Sequence, residues 1–183
     1  MTQSVSQLVI AAGQAANSGR WHEAEQLWLE VRRREPGNPQ ALFSLGIHAL
    51  QRGESESGLQ LLRAARNAAP HDKAVLLTLA NVYRQRGDSA AEREAVDAAL
   101  MVDPYFIPAL LARANWLERH GTAVAAATTY RNALKISPPE SHWPAAHREQ
   151  LLHARSVVER YSQTLTSALK VSLSAVNDQL PVS

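Results

Sequence analysis

The chain has 183 residues, 45% hydrophobic and 20% charged, with a formal net charge of +2 and no cysteine. That suits a single helical or globular domain, gives little reason to expect nucleic acid, and removes disulfide frameworks and thiolate metal sites. No apolar run approaches the roughly 18 residues of a membrane span. The opening MTQSVSQLVIAAG lacks the basic start of a signal peptide, so no membrane partner and a cytoplasmic location are expected.

The first predicted repeat covers about residues 5–38. Leu8, Ala11, Ala12 and Ala15 form an apolar stripe at helical spacing, which Gly19 interrupts. Residues 21–34 form the partner helix, with Ala24, Leu27, Trp28 and Val31 on one face. Arg32, Arg33 and Arg34 close it, where cations suit the helix dipole. The second repeat, residues 39–72, carries Leu42, Leu45, Gly46 and Ala49, then Gly58, Leu62 and Ala65. Gly46 and Gly58 predict a close helix crossing that a larger side chain would block.

In the third repeat, residues 73–106, Leu76, Leu79, Ala80 and Tyr83 are followed by Val96 and Ala99. Glu92 falls where the other repeats have Ala24, Gly58 and Ala126. A small contact site suits a carboxylate poorly, so either Glu92 finds a partner or Ala91 or Ala95 takes the contact. The fourth repeat, residues 107–141, has Leu110, Ala114, Leu117, Ala126, Tyr130 and Ala133. Arg113 stands where earlier repeats have Ala11, Leu45 and Leu79, and should turn its head outward or pair with an acid.

Two residue types fix the period. Gly19, Gly53, Gly87 and Gly121 recur every 34 residues, and so do Pro36, Pro70, Pro104 and Pro138. Each glycine suits a left-handed helix terminus, and each proline ends the second helix of its unit. Trp28, Leu62, Leu79, Tyr83, Leu117 and Tyr130 are the large residues expected in the core.

After Ser141 the period breaks. From about Pro144 one long helix is predicted, with Leu151, Leu152, Ala154, Val157, Val158, Tyr161, Leu165, Ala168 and Leu169 recurring at three and four. It can cap the apolar face of the last repeat, or form a homodimer seam. The organisation expected is a four-repeat array over 1–140 and a C-terminal capping or connecting segment over 141–183.

These residues resemble the tetratricopeptide repeat, whose pattern is W-x2-L-G-x2-Y, then A-x3-F, then P. Ala24 with Trp28, Leu45 with Gly46 and Pro70, Tyr83 with Pro104, and Ala126 with Tyr130 and Pro138 carry the likeness. It implies an all-α, right-handed superhelical solenoid of four helix-turn-helix repeats plus the long C-terminal helix. It also implies a protein or peptide partner held in a concave groove lined by the first helix of each repeat.

The groove positions on this chain are Val9 and Gly13, then Phe43, Ile47 and Leu50, then Leu77, Asn81 and Arg84, then Leu111, Asn115, Glu118 and Arg119. Asn81 and Asn115 stand 34 apart and resemble two rungs of the asparagine ladder in O-GlcNAc transferase-type arrays. An amide both donates and accepts, so it can read an extended main chain.

A second resemblance covers residues 138–170. The stretch LLHARSVVERYSQTLTSAL is similar to the helix joining the repeats to the catalytic domain in bacterial aspartyl/asparaginyl β-hydroxylase-like proteins, which are iron- and 2-oxoglutarate-dependent. It implies that this chain could be the accessory front of such an enzyme. The chain itself shows no catalytic constellation and implies no cofactor. There is no H-E-x-x-H, P-loop or nucleophile elbow. His147 and Glu149 lie two apart on a predicted helix, about 200° around it, and cannot share a metal.

Overall fold

The structure, a computed structural model, describes residues 3–177, with side chains to residue 170. Nine α-helices and one short 3-10 turn account for the described residues, and no strand occurs among them. They are α1 (Val5–Asn17), α2 (Trp21–Arg34), α3 (Pro39–Gln51), α4 (Ser55–Ala68), α5 (Lys73–Gln85), α6 (Ser89–Val102), α7 (Ile107–His120), α8 (Ala123–Ile136) and α9 (Ala145–Asn177), with the turn at Glu140–His142. No described helix is long and apolar enough to cross a membrane. The chain divides into two compact units, Met1–Val102 and Asp103–Ser183.

In the first unit, α1–α2, α3–α4 and α5–α6 are hairpins, and α2 packs on α3 as α4 does on α5. Leu8, Ala12, Ala15, Ala24, Trp28, Val31, Ala41 and Leu45 form one continuous apolar cluster. Leu62, Leu76, Leu79, Val96 and Tyr83 continue the buried set. The Gly46–Gly58 crossing is as close as expected. A Cβ on Gly58 would lie 2.7 Å from Leu50 Cγ and 3.0 Å from the Gly46 carbonyl oxygen, too near for any real side chain. Glu92 stays inside at 2% exposure, with Ala95 buried beside it on α6. The guanidinium of Arg63 on α4 donates from Nε to the Tyr83 hydroxyl on α5 at 3.1 Å.

The hairpin turns share one device. Gly19, Gly53 and Gly87 sit at φ of 72°, 81° and 73°, a region that only glycine enters at little cost. In that conformation each turn folds back to satisfy two orphan carbonyls. In the first, the Arg20 N–H donates to Ala15 O at 2.9 Å and the Gly19 N–H to Ala16 O at 3.0 Å. The other two turns repeat this pattern. Gly121 departs from the expectation, at φ −113°. Because α7 runs one residue longer, Gly121 is the capping residue itself rather than the residue after it. It is needed there for space, since an added Cβ would meet Leu117 O at 2.9 Å and Leu117 Cδ2 at 3.0 Å.

In the second unit, α9 packs on α8 and α7. Leu111, Ala114, Tyr130, Ala133, Trp143, Leu151 and Ala154 form its core. Trp28, Leu62, Leu79, Tyr83 and Tyr130 are buried as expected. Leu117 is only half-buried, with its side chain against Gly121 at the end of α7 rather than in the core between helices. Arg113 is exposed, so its head does turn outward.

The two kinds of glycine make opposite predictions. Gly58→Ala should destabilise the chain by about 1–3 kcal/mol, since Leu50 and a backbone oxygen must give way. Gly13→Ala, where an added Cβ meets nothing within 4 Å, should stabilise it by about 0.5–1 kcal/mol. Urea denaturation of both variants checks the pair, and equal signs would contradict the close crossing.

Candidate functional site

The groove positions lie on first helices, and a spacing of four then three puts each set on one helix face. In the first unit, Phe43, Ile47 and Leu50 share a face of α3, and Leu77, Asn81 and Arg84 share a face of α5. Val9 and Gly13 on α1 are half-buried, as are Phe43, Ile47, Leu50 and Leu77. Asn81 and Arg84 are exposed, and among the described residues neither side chain makes a hydrogen bond. Leu50 also closes on Gly58, so part of it belongs to the hairpin crossing. The face thus offers apolar ground on α3 and, on α5, one amide and one guanidinium with bonds to give.

In the second unit the corresponding positions are already engaged. Leu111 is 3% exposed and belongs to the core that α9 completes. Asn115 accepts from Arg119 Nε through Oδ1 at 3.2 Å. Glu118 accepts through Oε2 from the Tyr130 hydroxyl at 2.9 Å and is bonded to His153 Nε2 of α9 at 2.8 Å. The two asparagines 34 residues apart are therefore not equivalent. Asn81 is open, and Asn115 is engaged by Arg119 and Tyr130.

Sequence reasoning missed His153, Trp143 and Arg155. Trp143 is buried, donates from Nε1 to Pro138 O at 2.8 Å, and lies under the Arg155 guanidinium at 4.9 Å. Arg155 also donates to Glu140 at 2.6 Å. The only signal was a tryptophan between prolines in a stretch that breaks the period. Among the described residues no group of three or more His, Asp or Glu side chains could hold a metal ion.

Comparison with known proteins gives one family. The tetratricopeptide repeat model matches residues 14–73 and 46–107, together just over half of the chain. Similar solved structures include MamA, 18% identical over 76% of this chain and 82% of that one, with a TM-score of 0.65. A mutant O-GlcNAc transferase of Thermobaculum terrenum is 22% identical over 74% of this chain, TM-score 0.64. The Cut9–Hcn1 hetero-tetramer of the APC/C is 16% identical over 82%, TM-score 0.67. The match spans 27% of the transferase chain and 30% of the Cut9–Hcn1 chain. At these identities the likeness is one of fold. No curated protein matches the sequence.

The Glu118 cluster makes the second unit sensitive to acid. Burial pushes the Glu118 carboxyl up, but the bonds from His153 and Tyr130 outweigh it, and the group ends below its ordinary value of 4.5. Burial and the same carboxylate push the Tyr130 phenol above its ordinary 10. A carboxylate lowered on folding stabilises fully above pH 4.5 and loses that contribution as pH falls through the lowered value. Glu118→Gln should therefore flatten the acid limb of stability between about pH 5 and pH 3, and cost roughly 1 kcal/mol at pH 7. Denaturant unfolding across that range, wild type against variant, is the measurement.

Proposed function

The chain belongs to the tetratricopeptide repeat family, and from that premise we propose that it is a non-catalytic scaffold holding an extended peptide of a partner protein against α3 and α5. The observation that carries this is the pairing of open polar groups on α5, Asn81 and Arg84, with half-buried Phe43, Ile47 and Leu77. An asparagine amide can bond a peptide main chain in both senses, and an arginine fork suits a carboxylate. The fitting segment has apolar residues at one end and an acid at the other. Ordering such a segment costs entropy, so modest affinity follows unless several pockets are filled.

Leu111, Asn115, Glu118 and Arg119 have a different part in this reading. Their bonds go to neighbours within their own unit, so they hold α9 and α7 in place rather than contact the peptide.

The test is selection of peptides on the immobilised chain, then titration of the best binder. Asn81→Ala with Arg84→Ala should weaken binding by roughly 1–3 kcal/mol without lowering the melting temperature. Phe43→Ala should weaken it separately, through the apolar end. Binding unchanged in both variants would remove the peptide from this face.

A second reading concerns α9, which continues to Asn177 although its side chains are exposed from Ser162 to Lys170. Leu165 and Leu169, 45% and 62% exposed, extend the stripe that packs lower down. That favours a homodimer seam or a helix connecting to a further domain, as in the hydroxylase-like arrangement. Leu165→Glu with Leu169→Glu should convert a dimer to a monomer in light scattering. If the wild type is already monomeric at high concentration, the seam fails. The coding sequence beyond Ser183 then decides the connecting reading, by the presence or absence of H-x-D and a distant histidine.

A further inference from the structure

One apolar stripe runs along α9 and meets two different surroundings. Leu151, Ala154, Val158, Tyr161, Leu165 and Leu169 fall within about 80° of the helix circumference, at roughly 100° per residue. Near the start of α9 the stripe faces the core of its own unit, where Leu151 and Ala154 are buried and Val158 packs against them. Farther along, the same stripe faces water, with Leu165 and Leu169 45% and 62% exposed. Arg160 and Lys170 each stand five residues from Leu165, about 140° around the helix from it. Both charges are therefore off the stripe, and its exposed part is uncharged.

This geometry constrains what can cover the exposed part. A helix lying on Leu165 and Leu169 approaches from the side of α9 on which α7 and α8 already pack. A parallel copy of α9 would bring its own first turns down beside Leu151 and Ala154, into space that α7 and α8 fill. An antiparallel copy avoids that clash. Its end points toward α7 and α8, while its own α7 and α8 lie beyond Asn177 of the first helix.

We propose that two copies of this chain pair through the second half of α9, antiparallel, with Leu165 of each copy beside Leu169 of the other. This rests on the seam reading above and adds its direction and register. The register sets the two large exposed side chains of each stripe against each other. It overlaps the helices from about residue 157 to Asn177, roughly 30 Å at 1.5 Å per residue. The end of each helix then reaches the half-buried Val157 and Val158 of the other copy. A two-fold contact needs a patch that is complementary to itself, and an uncharged apolar stripe meets that condition. Each helix gives the other an apolar surface to pack on where Ser162 to Lys170 are exposed. A helical segment of about 15 residues without such a surface is marginal in water.

The chain has no cysteine, so an introduced one is a unique handle. Single variants Leu165→Cys and Leu169→Cys, mixed and oxidised, should give the mixed disulfide in preference to either like pair. A parallel seam would give like pairs instead. Glu149→Cys, at an exposed position off the stripe, carries a nitroxide for electron–electron distance measurement. Antiparallel pairing in this register sets the labels about 55 Å apart, against less than about 30 Å in a parallel pair. Sedimentation of the full chain at up to about 1 mM, enough to populate a weak pair, reads the state itself. The expected result is a dimer with the long distance that Leu165→Glu with Leu169→Glu abolishes. Both leucines are exposed, so these variants keep their fold, which circular dichroism checks. A dimer with like-pair disulfides or the short distance overturns the direction and keeps the seam. A dimer that survives the double glutamate variant, or a chain monomeric throughout, overturns both.

Discussion

Within a hairpin, two helix backbones cross at close range, and the packing of every larger side chain follows from that crossing. In α3–α4 the closeness is extreme, because glycine faces glycine and Leu62 and Leu50 close over the gap. In α1–α2 and α7–α8 alanines do the same work, with Ala12, Ala24, Ala114 and Ala126 at most 1% exposed. A glycine within a helix costs roughly 1 kcal/mol against alanine. Contacts made across a closer crossing offset that. The third hairpin holds Glu92 at the same register and keeps it buried, beside Ala95 on α6 at 2% exposure.

The turns obey the same economy of space. Three of them need a left-handed residue because the chain must reverse while two carbonyls are satisfied. The fourth reverses one residue later and needs glycine only because Leu117 occupies the room a Cβ would take. One sequence period thus conceals two physical reasons for the same residue.

What the sequence made legible was what repeats. Helix boundaries, the glycine and proline turns, the Gly46–Gly58 crossing and most of the core follow from a period and from local preference. The candidate site was less legible, because its state depends on segments distant in the chain. Nothing near Leu111 or Glu118 announces that α9 will bury the one and bond the other. Asn81 and Asn115 look identical in register and differ because Arg119, four residues on, reaches back to Asn115.

The long helix separates anchoring from charge. Its contacts with acids include His153 with Glu118 and Arg155 with Glu140, which join partly exposed groups, and such pairs contribute about 0–1 kcal/mol. Burying Leu151 alone contributes roughly 1.5–3 kcal/mol, and Trp143 and Ala154 add to it. Docking of α9 is therefore set by apolar burial near its start. From Tyr161 to Leu169 the sequence carries no charge at all, yet the side chains from Ser162 to Lys170 are exposed. A helix of about 15 residues without tertiary support is marginal in water. The apolar stripe through Leu165 and Leu169 is thus both the part of α9 least supported by its own unit and the part whose coverage would most stabilise it.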